Sequence, residues 1–203
     1  MLPRASKRME KRPLTVRGQR VIRVPTTGDN EGFEEDLGWI AMALGGPSVP
    51  FVPTRPEVLD LVFQALDLKE GDVLYDLGCG DGRIVVEAAK RYPVKKAVGV
   101  ELRDELYKEA TERVKREGLD SRVEIIHGDF FRVPISEATV VYMYLLTSVN
   151  EALKPKLKQE LKPGTRVVTL DFQIPGWKPV KVIGDRGGWQ RTLYVYVIGD
   201  SDV

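Results

Sequence analysis

Val73-Leu74-Tyr75-Asp76-Leu77-Gly78-Cys79-Gly80-Asp81-Gly82 runs from a short strand-like stretch into three glycines at alternate positions. Glycines at such a point let the backbone turn tightly and approach a ligand with no Cβ in the way. The surrounding chain repeats the pattern of strand followed by helix. A helix is expected over about Asp81 to Arg91, then a strand Ala97 to Glu101. The helix Asp104 to Glu117 places Leu106, Ala110 and Val114 on one face, and Gly118 stops it. Further strands are expected at Arg122 to His127, Thr139 to Leu145 and Val167 to Phe172. Between the last two, Leu153, Leu157 and Leu161 recur every four residues, with Pro155 expected to start or kink that helix. Upstream, Pro56 suits the first turn of a helix reaching about Leu66. Downstream, Val180 to Ile183, a Gly187-Gly188 turn and Thr192 to Ile198 read as an antiparallel hairpin. Alternating units of this kind predict an α/β fold: a Rossmann-like, mostly parallel sheet, helices on both faces, and a C-terminal antiparallel hairpin.

Composition narrows the class. The lone Cys79 excludes a disulfide framework, and a lone histidine, His127, excludes a Cys/His zinc centre. No apolar run approaches the length of a membrane span, and no metal is expected. Lys and Arg number 31 against 30 Asp and Glu, a net charge of +1. That balance hides a division. Residues 1–23 hold eight basic residues and one acid, leaving +7 there and −6 in the remaining 180. The arm has no apolar core of a secretory signal, so a cytoplasmic protein is expected. The arm itself reads as a solvated segment or as a contact for nucleic acid or another acidic partner. Two asparagines and five glutamines in a chain with 30% charged residues suggest a thermophilic source.

In an open α/β sheet, ligands sit at the carboxyl ends of the strands, beside the switch point. The glycines run G-x-G-x-G rather than the G-x-G-x-x-G of pyrophosphate sites, and Asp76 stands at the strand end. An acid there disfavours phosphate and favours a cation, such as an amino-acid moiety bearing a sulfonium. Glu101, with Leu102 beside it, ends the second strand, where a carboxylate accepts both hydroxyls of a ribose. Gly128-Asp129-Phe130 follows the third strand, offering Asp129 to an adenine amino group and Phe130 to its ring. Three strand ends in this order point to S-adenosylmethionine, held by Asp76, Gly78, Cys79, Gly80, Gly82, Glu101, Leu102, Gly128, Asp129 and Phe130. Within that set Cys79 reads as a small packing residue of the loop rather than a nucleophile.

DLGCGDGR at 76–83 with Gly99-Val100-Glu101 resembles the seven-stranded S-adenosylmethionine-dependent methyltransferases. PFVPT at 50–54, LLTSVNEALKPKL at 145–157, LKPGTRVV at 161–168 and IPGW at 174–177 narrow the likeness to the archaeal seven-strand protein lysine methyltransferases and their mitochondrial relatives. The resemblance covers about residues 49–199. It divides the chain into a basic arm and short apolar segment at 1–48 and a methyltransferase domain at 49–203. It implies methyl transfer to the side-chain amine of lysine in protein substrates, through a channel assigned to Tyr144, Leu145 and Phe172. Pro53 and Thr54 would form a lid near the methionine end. Asp171 either meets the incoming ammonium or merely ends a strand. Nucleic-acid amino methyltransferases carry an Asn/Asp-Pro-Pro-Tyr/Phe segment after the fourth strand, where this chain reads Tyr142-Met143-Tyr144-Leu145. The alternative is a methyltransferase acting on RNA or a small molecule, with the basic arm as its docking element. A third possibility is a fold retained without activity, which the intact loop, Glu101 and Asp129 oppose.

Overall fold

The computed structural model describes Thr54, residues 56–184 and residues 191–202. The basic arm, the apolar segment, Pro53, the Gly187-Gly188 turn and Trp189 lie outside the described residues. Helix α1 spans Pro56–Leu66, and strand β1 is Val73–Leu77, buried along its whole length. Helix α2 (Arg83–Arg91), β2 (Lys96–Glu101), α3 (Asp104–Arg116) and β3 (Val123–His127) follow in alternation. Then come β4 (Val140–Met143), α4 (Thr147–Glu160), β5 (Arg166–Leu170), β6 (Lys181–Gly184) and β7 (Thr192–Val197).

The strands form one seven-stranded sheet in the order β3-β2-β1-β4-β5-β7-β6. The first five are parallel, and β7 runs antiparallel between β5 and β6. The expected hairpin is present, with its second strand inserted next to β5, so β6 becomes the edge. The chain winds outward from β1 to β3 and returns to β4 beside β1. This reversal puts a crevice above the carboxyl ends of β1 and β4.

Alternation along the strands sends successive side chains to opposite faces. Leu74, Ala97, Val140, Tyr142, Val168, Leu170 and Leu193 meet the apolar faces of α1 and α2. Tyr75, Val98, Val141, Met143, Val167 and Tyr196 meet Leu153 and Leu157 of α4. Helices thus cover both faces, as the repeating pattern requires. Helix α4 departs from expectation at Pro155: it runs unbroken from Thr147 and contains the proline. The missing N–H removes one bond to the Glu151 carbonyl. Leu153 and Leu157, both fully buried, hold the turns on either side against the sheet. Packing outweighs the local penalty. Among the described residues no helix is long and apolar enough to cross a membrane.

Candidate active site

The loop after β1 is built by backbone that side chains resist. Gly78 has φ 82°, and a Cβ there would lie 3.1 Å from Leu145 Cδ2 and 3.9 Å from Phe130 Cε1. A glycine is needed to keep this spot open between the ends of β3 and β4. Gly82, φ 74°, caps α2, and its Cβ would meet Ala110 Cβ at 3.0 Å, so α3 packs against the bare backbone. The N–H groups of Gly78 and Cys79 both donate to the Val100 carbonyl, at 2.9 and 3.0 Å.

Glu101 joins three strand ends. Its Oε2 accepts the Gly80 N–H at 2.9 Å and its Oε1 the Arg103 N–H at 2.8 Å. Its carbonyl accepts the Gly128 N–H at 3.0 Å. Each carboxylate oxygen keeps a further lone pair for a ligand hydroxyl. Beside it Leu102 is 50% exposed, an apolar surface with nothing to cover it among the described residues. Asp129 Oδ1 accepts the Phe131 N–H at 2.9 Å, which fixes the turn presenting Phe130. Phe130 packs on Phe131, ring centroids 5.0 Å apart. Gly128 has a local reason to be glycine, since a Cβ would lie 3.1 Å from Val133 Cγ2.

Three buried acids surround the loop: Asp76, Asp81 and Glu101. Asp81 is matched. Arg83 and Arg113 each place Nη2 at 2.7 Å from its Oδ2, and Arg83 Nε lies 3.0 Å from Oδ1. Burial alone would raise the Asp81 carboxyl, but the Arg83 hydrogen bond and the two guanidinium charges outweigh it and hold it below its ordinary value. The same Arg83 donates from Nη1 to the Thr54 carbonyl at 2.7 Å, tying the segment before α1 to the loop. Among the described residues Asp76 is not matched: burial first, then the charges of Glu101 and Asp81, push its carboxyl well above the usual range. Burial likewise pushes the Cys79 thiol up, with Asp76 and Glu101 adding to it. The thiol packs on β2, where a Cβ at Gly99 would come within 2.6 Å of Sγ. It is a packing group of the loop.

The ends of β4 and β5 form a second wall. Tyr144 and Phe172 face each other with ring centroids 6.2 Å apart. Leu145, the next residue, packs with Met143 and Phe130 on the opposite side of the sheet. The three expected channel residues therefore divide: an aromatic pair on the α1 face, and Leu145 against Gly78. Asp171 is not an open carboxylate. It adopts φ 61°, its Oδ1 accepts the Thr192 N–H at 3.1 Å, and its Oδ2 pairs with Arg191 Nη1. Arg191 Nη1 also donates to the Tyr144 hydroxyl at 2.8 Å, so the guanidinium stands between acid and aromatic. Asn150, fully buried on α4, donates from Nδ2 to the carbonyls of Phe172 at 3.0 Å and Gln173 at 3.4 Å.

Residues 76–181 match the ANTKMT methyltransferase domain family. The chain belongs to that family. It is 53% identical over 155 residues to a protein-lysine N-methyltransferase of Saccharolobus islandicus (strain REY15A), covering 76% of this chain and 96% of that one. It is 35% identical over 137 residues to the adenine nucleotide translocase lysine N-methyltransferase of Mus musculus, covering 68% of this chain and 59% of that one. Among solved structures, an RNA methyltransferase from Salinibacter ruber in complex with S-adenosyl-L-homocysteine superposes with a TM-score of 0.68 at 44% identity, covering 72% of this chain and 94% of that one.

The residues of this methyltransferase fit S-adenosylmethionine. Glu101 has free lone pairs for the ribose, Leu102 and Phe130 offer apolar surface for the base, Gly78 leaves backbone bare, and Asp76 awaits a cation. Sequence reading passed over four groups of the site. Arg83 lay in the loop motif without a role. Arg113 stands 32 residues from Asp81 with no local signal, and Arg191 reaches Asp171 only because β7 returns beside β5. Asn150 lay in the 145–157 segment as a helix residue. His127 is exposed and stacks on Tyr107 at 4.7 Å, with Nε2 3.1 Å from the Leu102 carbonyl. Trp177 is buried edge-on against Tyr196, as packing requires.

Proposed function

We propose that the enzyme transfers methyl groups from S-adenosylmethionine to lysine side chains of protein substrates. The observation that carries this reading is the identity to the Saccharolobus protein-lysine methyltransferase, which extends over almost all of that protein. When bound, S-adenosylmethionine supplies a methyl on a sulfonium, whose sulfur leaves as a neutral thioether when an amine attacks. In this reading Glu101 accepts the ribose hydroxyls, Leu102 and Phe130 flank the base, and Asp76 meets the ammonium. Thr54 closes the methionine end through its bond to Arg83.

A free lysine has a pKa of about 10.4 and must lose a proton from Nζ to solvent water before it attacks. The Tyr144–Phe172 pair receives the alkyl chain and strips water from the ammonium, which favours the neutral amine. Arg191 acts in the same sense. It occupies Asp171 and presents its cationic end to Tyr144, so among the described residues the Tyr144–Phe172 rim offers no unpaired carboxylate to hold an ammonium. The chain's remaining work is alignment of amine and methyl, which contributes through proximity rather than acid–base chemistry.

The Salinibacter relative, described as an RNA methyltransferase, keeps RNA as a second reading. Incubation with labelled S-adenosylmethionine and a cell lysate, split between protease and ribonuclease digestion, separates the two. Label released only by protease supports lysine; label released only by ribonuclease replaces it with RNA. With the lysine reading go a cytoplasmic location, a thermophilic source and, for residues 1–23, contact with an acidic partner.

A further inference from the structure

Tyr142 carries a hydroxyl that no described residue uses. The residue lies on β4, in register with Asp76 on β1 and on the same face of the sheet. It is 2% exposed, and its hydroxyl has no hydrogen-bond partner among the described residues. Burial first, then the charge of Asp76, push its phenol well above the ordinary range, and the Thr54 side chain close by offsets part of that. Among the described residues, an unpaired acid and an unpaired hydroxyl therefore stand in register on neighbouring strands, with Thr54 close to the hydroxyl.

A buried orphan hydroxyl is unfavourable, and phenylalanine would fill the same space without it. Its chemistry complements its neighbour's. An α-amino acid head group presents an ammonium, which Asp76 suits, and a carboxylate, which needs donors. Among the described residues, Arg83 is committed to Asp81 and the Thr54 carbonyl, and Arg191 to Asp171 and Tyr144. Among the described residues, the Tyr144 hydroxyl on this face takes the Arg191 bond, while Tyr142 and Thr54 offer hydroxyls near Asp76. We infer that the Tyr142 hydroxyl donates a hydrogen bond to the carboxylate of the cofactor's amino-acid end, pairing with Asp76 to read the zwitterion. This rests on the S-adenosylmethionine reading above and assigns the group within that site that distinguishes an amino-acid tail from a bare thioether.

The test is Tyr142→Phe, with calorimetric titration of S-adenosylhomocysteine and of 5′-methylthioadenosine, which lacks the amino-acid end. The variant is expected to melt no lower than the unmodified chain, because it removes an unpaired polar atom. Its affinity for S-adenosylhomocysteine should fall about 10-fold or more, as on losing a hydrogen bond to a charged group. Its affinity for 5′-methylthioadenosine should stay within about twofold. Unchanged affinity for S-adenosylhomocysteine, or an equal loss for both ligands, overturns the assignment. A measurement on the unmodified chain guards against a variant that does not fold. An analogue of S-adenosylhomocysteine keeping the amine but lacking the carboxylate should bind about 10-fold more weakly, and equal binding also overturns it. If the unmodified chain binds neither S-adenosylhomocysteine nor 5′-methylthioadenosine, the cofactor reading itself fails.

Discussion

Glu101→Gln separates the two duties of the residue that joins the strand ends. In the free protein the carboxylate accepts two backbone N–H groups, from Gly80 at 2.9 Å and Arg103 at 2.8 Å. An amide keeps one acceptor oxygen and turns its NH2 donor onto the other N–H. One charge-assisted bond is lost, about 1.5–3 kcal/mol of folding stability. The ribose meets the same change, since one of its two hydroxyls loses a charged acceptor. That second loss, again about 1.5–3 kcal/mol, converts to about 10- to 150-fold weaker binding. Titration calorimetry with S-adenosylhomocysteine reads the affinity, and thermal unfolding without ligand reads the stability. A lowered melting point with affinity within about twofold of the unmodified chain would show that Glu101 only ties the loop, and the ribose assignment would be wrong.

Asp76→Asn should raise stability at neutral pH while weakening S-adenosylhomocysteine binding. The folded carboxyl titrates above its unfolded value of about 4, so stability falls as pH rises from there through the folded value. The unmodified chain should bind S-adenosylhomocysteine more tightly as pH rises through the same window, because the ligand's ammonium favours ionised Asp76; the asparagine variant should lose both dependences. Melting curves and titrations between about pH 5 and 8 check this, and a stability that rises with pH in the unmodified chain but not in the variant contradicts it. Gly99→Ala drives a Cβ to 2.6 Å from Cys79 Sγ and should cost about 1–3 kcal/mol. Adding Cys79→Ala should restore part of it, because Cys79 Cβ at 3.0 Å and Ile125 Cδ1 at 3.1 Å remain, whereas additive losses in chemical denaturation would refute the Sγ contact; Cys79→Ala alone should retain methyl transfer. Arg191→Met removes the bonds to Asp171 and Tyr144 at a partly exposed site, and should cost about 1 kcal/mol. Its kcat/KM for protein substrate should fall with S-adenosylhomocysteine affinity unchanged, and a parallel loss of both would place Arg191 outside the substrate rim.

The glycine loop and the strand ends were legible because the backbone constrains them locally. Gly78 and Gly82 must be glycine for conformational and steric reasons, and an acid at the end of β1 or β2 follows directly from strand length. The alternating faces of Tyr144 and Leu145 are equally local, yet their division between two sides of the sheet depends on where β4 ends, two residues before the expected Leu145. Pro155 shows the limit of propensity, since Leu153 and Leu157 carry α4 through it. The ion pairs that finish the site were not legible. Asp81 with Arg113 and Asp171 with Arg191 each need two distant segments brought together by the sheet order. The orphan hydroxyl of Tyr142 becomes visible only when its burial and lack of partners are both known.

A site that holds S-adenosylmethionine and delivers its methyl to a lysine Nζ must leave that methyl where it can be found. Mass spectrometry of an acceptor protein purified after reaction with isotopically labelled S-adenosylmethionine reads this directly, by locating the label on a single side chain. The label is expected on lysine Nζ, and is expected to fall about 10-fold or more on the same acceptor treated with the Glu101→Gln variant at limiting cofactor. Label confined to RNA in the same reaction, or protein label on side chains other than lysine, would contradict the lysine reading.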